Sequence, residues 1–272
     1  MKPIDIDQMK EIELNILKYV DGICRENDIK YSLAGGTLLG AIRHKGFIPW
    51  DDDIDIILIR PEYERLIAIL KRETTYKLIY PEMDNYWHPF AKLVDPQTIM
   101  VLEDKYETNI PDLGDYIDIF AVDGCPDERE DQVSFQRSLR KELNDIRLSF
   151  FNCYNASGKQ WKRIIKRVIL FPKFVYLRVT GTPETRKKAL LEHMKKYKLE
   201  ESKYAGFLLS VYDNEILPKE YYTETIEVQF ENELFQGFKH YDEYLRALYH
   251  EYMILPPEDK RKSAHHYAAF YR

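Results

Sequence analysis

Met9, Ile12, Ile16, Tyr19, Val20 and Ile23 recur every three or four positions, which lays an apolar stripe along a helix that opens the chain and ends near Asn27. Tyr31 to Ala34 then reads as a short strand, Gly35-Gly36 as a sharp turn, and Thr37 to Arg43 as the start of a second helix. Residues 53–59 are β-branched and apolar around two aspartates, the pattern of a buried strand. Pro61 suits the first turn of a following helix, whose Tyr63, Leu66, Ile67 and Leu70 share one face. Further elements are a strand over about 116–122, a strand or hairpin over about 223–235, and a helix from Tyr241 that stops before Pro256-Pro257. The charged stretch over about 127–198 is mostly helical in pattern. Mixed strands and flanking helices predict an α/β or α+β fold. It divides into a core over 1–126, a basic helical insertion over 127–202, and a part over 203–272 that completes the core.

The 272 residues are 44% apolar and 32% charged, too apolar for disorder and long enough to bury a core. No uncharged run approaches the roughly 20 apolar residues of a spanning helix. The acidic start MKPIDIDQMKE lacks the basic-then-apolar order of a secretory signal. Cys24, Cys125 and Cys153 form no C-x-x-C pair and no even disulfide set, so they read as reduced thiols in a cytoplasmic protein. Charge is uneven: residues 159–198 carry thirteen Lys or Arg against Glu184 and Glu192, so a net −6 divides into +11 there and −17 elsewhere. Such a stretch attracts a polyanion. Trp161, Ile164, Ile165, Val168 and Ile169 recur at helical spacing between Lys162, Arg163, Lys166 and Arg167. The segment therefore reads either as an interfacial helix on the anionic inner face of a cell membrane or as a core-facing stripe with a solvated basic edge. No nucleic-acid motif accompanies it, and no nucleic-acid partner is expected.

Asp51, Asp52, Asp53 and Asp55 crowd into five positions directly before Ile56, Ile57, Leu58 and Ile59. On a strand, Asp53 and Asp55 would point to the same side with Cα atoms about 6.6 Å apart. Carboxylates so close repel one another unless a cation neutralises them, and hard oxygen donors favour Mg²⁺ or Mn²⁺. The helix start over Gly35, Gly36 and Thr37 offers backbone N–H groups and a positive dipole end to phosphate, and glycine permits close approach. Asp118, in DYIDIF on a later strand, is a third isolated acid. Paired glycines alone would mark only a turn, but with the D-x-D and Asp118 they point to metal-assisted phosphate chemistry.

The segment LAGGTLLGAIRHKGFIPWDDDIDI closely resembles the signature of the LicD family, phosphocholine transferases of bacterial surface glycans related to the fukutin-type ribitol-phosphate transferases. The resemblance continues in FAKLVDPQTIM, YIDIFAVDG and YDEYLRALYHEYMILPPEDKRKSAHH, and so spans most of the chain outside the basic middle. It implies a nucleotidyltransferase-like fold in which Gly35 and Gly36 match the glycine pair and Asp53 and Asp55 the D-x-D. Asp118 matches the third metal-binding acid, with Asp115 and Asp123 as near alternatives. It further implies a CDP-alcohol donor, CDP-choline first among them, with Mg²⁺ (or Mn²⁺) as cofactor and CMP as product. The implied acceptor is a sugar hydroxyl of a glycan or lipid-linked oligosaccharide, such as a teichoic acid, lipopolysaccharide or capsule precursor. Arg43, Lys92 and Arg261 are candidate cations for the leaving phosphate, and His44, His265 and His266 candidate phosphate-binding or acid–base groups. Trp50, Tyr86 and Trp87 are candidate faces for a quaternary ammonium, and Asp51 and Asp52 are read as supporting the loop. Two features depart from the family: Tyr249-His250-Glu251-Tyr252-Met253 stands where Tyr-Gly-Asp-Tyr-Met is common, and there is no cysteine-rich zinc motif. The alternatives are the same site with CDP-glycerol, CDP-ribitol or a nucleoside triphosphate, and a non-catalytic glycan- or membrane-binding protein on this scaffold.

Overall fold

Asp5 fixes the start of the first helix. Its side chain accepts the Gln8 N–H at 2.9 Å while the Gln8 side chain accepts the Asp5 N–H at 3.1 Å, a reciprocal cap that satisfies two otherwise orphaned donors. The computed structural model describes residues 1–102, 110, 112–150, 160–210, 212–261 and 267–272. In chain order it contains β1 (Lys2–Ile4), α1 (Ile6–Glu26), β2 (Ser32–Leu33), α2 (Gly35–Arg43), β3 (Asp55–Ile59) and α3 (Arg60–Leu70). There follow β4 (Lys77–Ile79), β5 (Ala91–Val94), β6 (Thr98–Leu102), β7 (Tyr116–Gly124), α4 (Arg129–Ser149), α5 (Gln160–Val179) and α6 (Pro183–Met194). The remainder is β8 (Tyr204–Gly206), β9 (Leu217–Pro218), α7 (Glu220–Thr223), β10 (Thr225–Phe230), β11 (Glu233–Phe238), α8 (Tyr241–Tyr249) and β12 (Tyr267–Tyr271).

The main sheet runs β2-β3-β7-β5-β4, with β8 on the end of β7 and β9 beside β8. Among the described residues only β3 and β7 pair in parallel, in the register Asp55 with Asp118 through Ile59 with Val122. Parallel strands need a crossover, supplied here by α3, β4, β5 and β6. Antiparallel β5 places Lys92 opposite Asp118, so Lys92, Asp118 and Asp55 lie in one row across three strands, roughly 4.8 Å apart from strand to strand. α1 packs its Ile16, Leu17, Val20 and Cys24 face inward, α3 buries Tyr63, Leu66, Ile67 and Leu70 on the same core, and Met9 of α1 packs apart with Ile4 and Ala269. A second sheet, β1-β12-β6, and the β10-β11 hairpin complete the framework.

The middle helices have their own small core. Phe135, Leu139 and Ile146 of α4 meet Leu190 and Met194 of α6, and the cluster extends to Cys125, Leu208, Leu209 and Ile216. After α6 the chain returns to the main sheet through β8, which pairs Gly206 with Asp123 and Ala205 with Gly124. No helix among the described residues is long and apolar enough to cross a membrane. Cys24 and Cys125 are buried free thiols; Cys153 lies outside the described residues.

Two expectations need correction, and one of two open alternatives closes. Gly35-Gly36 does not form a turn before the helix: both glycines belong to α2, whose N-cap is Ala34 in extended backbone. The strand expected from residue 53 begins at Asp55, so side-chain alternation cannot relate Asp53 to Asp55. The apolar stripe of 161–169 does not face the core. Ile164, Val168 and Ile169 are 66, 70 and 68% exposed, and α5 touches α4 instead through Leu170, Phe174 and the buried Leu177 against Leu148.

His250 ends α8 with φ 57° and ψ −112°, its N–H donating to the Arg246 carbonyl at 2.9 Å. Its backbone therefore holds a glycine conformation where this chain has lost the glycine, and a Cβ in left-handed backbone costs about 1–2 kcal/mol. His250→Gly is expected to stabilise the fold by about 1 kcal/mol, read as a higher midpoint in thermal unfolding; an unchanged or lower midpoint contradicts the strain.

Candidate active site

Thr37 ties the start of α2 to the start of β3. Its buried hydroxyl accepts the Asp55 N–H at 2.8 Å, while Ala34 N–H donates to the Asp55 carbonyl at 3.0 Å. Both glycines meet acids at close range. Gly35 has φ +50°, and a Cβ there would lie 3.4 Å from Asp55 Oδ2; at Gly36 it would lie 2.6 Å from Asp51 Oδ2, in space that carboxylate already occupies. The helix start, Asp51, Asp53 and Asp55 form the floor of a cleft of about 720 Å³. Asp118 stands beside Asp55 in the strand ladder, its Oδ1 2.7 Å from the Nζ of Lys92. Lys92 is itself only 2% exposed and lies 3.6 Å from the centre of the Tyr116 ring. Burial, then the charges of Asp53 and Asp118, raise the Asp55 carboxyl well above its ordinary range, and Lys92 pulls it only partly back.

The walls of the cleft are aromatic. Trp87, Phe90, Phe120, Phe207, Tyr212 and Tyr249 line it, with Phe90 and Phe120 rings 4.7 Å apart and Phe120 and Phe207 rings 4.8 Å apart. These rings come from four separate stretches of chain, so no local pattern marks them. Tyr86 does not join them: it is buried in a neighbouring cluster, with its hydroxyl donating to the Phe90 carbonyl at 2.8 Å.

Glu215 also lines the cleft and escaped the sequence reading, since one glutamate in a loop carries no signal. It accepts the Tyr244 hydroxyl at 3.0 Å, and Tyr244 in turn accepts the Gly35 N–H at 3.3 Å. Burial pushes the Glu215 carboxyl up to about 7, despite hydrogen bonds from Ser210 and Tyr244 that act the other way. A second hidden acid, Glu13, sits in the buried face of α1 and is raised well above its usual range by burial, then by Asp115. Glu13 occupies a stripe position between Met9 and Ile16, the one clue available in the sequence. Asp115, likewise raised to about 7 by burial, belongs to this interior group rather than to the cleft. Asp123 lies at the far end of β7, paired with Arg60 at 2.7 Å. Asp52 is buried, and Asp51 opens into the cleft.

Arg43, His44 and Arg261 gather around Trp50 and do not line the cleft. Arg43 Nε donates to His44 Nε2 at 2.9 Å and its Nη1 to the Tyr252 carbonyl at 2.6 Å, while Arg261 lies 5.6 Å from the Trp50 ring centre. Burial, then Arg43, lowers His44, which favours its neutral form. His265 and His266 lie outside the described residues.

Residues 28–122 match a family described as LicD/FKTN/FKRP, nucleotidyltransferase domain. The lipopolysaccharide cholinephosphotransferase LicD of Haemophilus influenzae is 34% identical over 274 residues, covering 97% of each chain. The chain belongs to the LicD family. It is accordingly a phosphotransferase. The human ribitol 5-phosphate transferase FKRP is 49% identical over 39 residues, 14% of this chain and 8% of that one. An uncharacterized protein of Rickettsia typhi is 44% identical over 87 residues, 28% of each chain.

The acids of this LicD-family cleft suit a divalent cation in kind. They are hard oxygen donors, and burial together with their mutual repulsion raises Asp55, which the nearby lysine offsets only in part. Among the described residues, no three His, Cys, Asp or Glu side chains are already gathered closely enough to hold an ion. Asp115 and Glu215 make the stability of the fold depend on pH. Both are neutral in the fold and ionised when unfolded between about pH 4.5 and 7, so folding takes up protons there and stability falls as pH rises through about 7. Each accounts for up to about 3 kcal/mol of that loss. Thermal midpoints are expected to be lower at pH 8 than at pH 5.5, with Glu215→Gln flattening the slope; a midpoint that rises across this window contradicts the assignment.

Proposed function

We propose that this chain transfers phosphocholine from CDP-choline to a sugar hydroxyl on a bacterial surface glycan precursor, releasing CMP. The whole-length relative carries the choline activity in its name, and the observation that carries the donor choice here is the aromatic wall above an acidic floor. A trimethylammonium group binds aromatic faces, whereas the many hydroxyls of ribitol or glycerol need hydrogen-bonding partners those faces do not offer. A cleft of about 720 Å³ lies in the range of small-molecule sites.

In this reading the positive end of α2 faces the diphosphate, with glycines allowing its approach. Mg²⁺ or Mn²⁺ held by Asp53, Asp55 and Asp118 would supply positive charge against the diphosphate and the departing CMP. The sugar hydroxyl oxygen attacks the phosphorus that bears choline, the bond from that phosphorus to the bridging oxygen breaks, and CMP leaves with the electron pair. The hydroxyl proton passes to a carboxylate of the cleft, for which Asp55 and Glu215 are the candidates. The chain's own work is positioning, charge neutralisation and proton transfer.

CMP release with a crude glycan acceptor tests the proposal. CDP-choline is expected to turn over, Asp55→Asn to lose about 10²-fold or more, and Trp87→Ala to weaken CDP-choline about tenfold while leaving CDP-glycerol unaffected. Turnover of CDP-ribitol or CDP-glycerol in place of CDP-choline overturns the choline assignment, and full activity of Asp55→Asn overturns the site.

A further inference from the structure

At 3.6 residues per turn, α5 divides into three zones. Leu170, Phe174 and Leu177 form a narrow edge against α4. Diametrically opposite, Trp161, Ile164, Ile165, Val168, Ile169 and Tyr176 form an apolar arc of about 140°, every one exposed. Five of the six basic residues lie between these zones, Lys162, Lys166 and Lys173 on one flank and Arg167 and Arg178 on the other, while Arg163 falls on the α4 edge. Lys173 also pairs with Asp145 of α4 at 2.7 Å, which helps fix the rotation that turns the apolar arc outward. The helix contains no Asp or Glu.

We propose that α5 is a docking surface for an anionic lipid bilayer, lying in the plane of the interface. Apolar side chains of this arc would enter the acyl boundary, and long cationic side chains on both flanks would reach back to lipid phosphates. Charge selects this occupant over a second copy of the chain. Two α5 helices face to face would oppose six Lys or Arg to six others with no acid to offset them, whereas an anionic leaflet is complementary on both flanks. The helix lies on the membrane rather than through it, since it is not apolar enough to span. Its anchor is close to the cleft: Leu143 of α4 lines the cleft, and Leu148, which touches α5, lies about 7.5 Å further along the same helix. The proposal rests on α5 alone and holds whichever donor the cleft uses.

The test is flotation of the full chain with phosphatidylcholine vesicles, with and without phosphatidylglycerol, at low and high salt. Binding is expected to be at least about tenfold stronger with phosphatidylglycerol and to weaken with salt. It should be lost both in Ile164→Glu/Val168→Glu and in Lys162→Glu/Arg167→Glu. All four positions project from the fold, so thermal midpoints should stay at the wild-type value, which separates lost docking from lost folding. Equal binding to both lipid compositions, retention of binding by either double variant, or a lipid-free dimer that Ile164→Glu/Val168→Glu converts to monomer would overturn the proposal.

Discussion

Repulsion among carboxylates at the head of two parallel strands is the constraint around which this fold is arranged. Asp55 and Asp118 are opposed in register, Asp53 and Asp51 enter from the preceding loop, and all of them sit where water is partly excluded. Such a cluster is costly unless opposite charge is built in. Two devices provide it. Lys92 is buried in the same row and bonded to Asp118, and α2 directs its positive end at the floor, with Thr37 fastening helix to strand. Burial and incomplete compensation leave Asp55 raised, a state more useful for binding a cation or a proton than for stability.

Behind this floor, Glu13 and Asp115 are acids kept neutral by burial, and within the cleft Glu215 is held near neutrality by the same cause. Asp55 and Glu215 thus place two carboxyls of raised proton affinity in one cleft, an arrangement suited to accepting and returning protons. Its aromatic walls converge from loops and strands far apart in the chain, so the charged floor and the apolar walls become one site only on folding.

Elements with a strong local pattern were legible in the sequence. The stripe from Met9 to Ile23 gave α1 to within a residue or two of its observed end, Pro61 marked the start of α3, and the D-x-D located the floor. Short strands were not legible: β1, β4, β5 and β12 have three to five residues each and exist because a neighbour pairs with them. Asp53 read as strand because the apolar run extends back to Ile54, yet pairing begins only at Asp55. The orientation of α5 was undecidable from spacing, because an apolar stripe looks the same whether it faces a core or departs from one; the buried edge at Leu177 settles it. Glu215 and the aromatic walls depend on contacts distant in sequence, which no window of residues contains.

Asp55 and Asp118, side by side at the floor of the cleft, are expected to take up a divalent cation. The most direct measurement is thermal unfolding with and without Mg²⁺ in the wild type, Asp55→Asn and Asp118→Asn. A ligand that binds only the folded state raises its midpoint. Mg²⁺ should therefore raise the wild-type midpoint and leave both variants unmoved, whereas an equal rise in all three, or none in the wild type, would contradict the account.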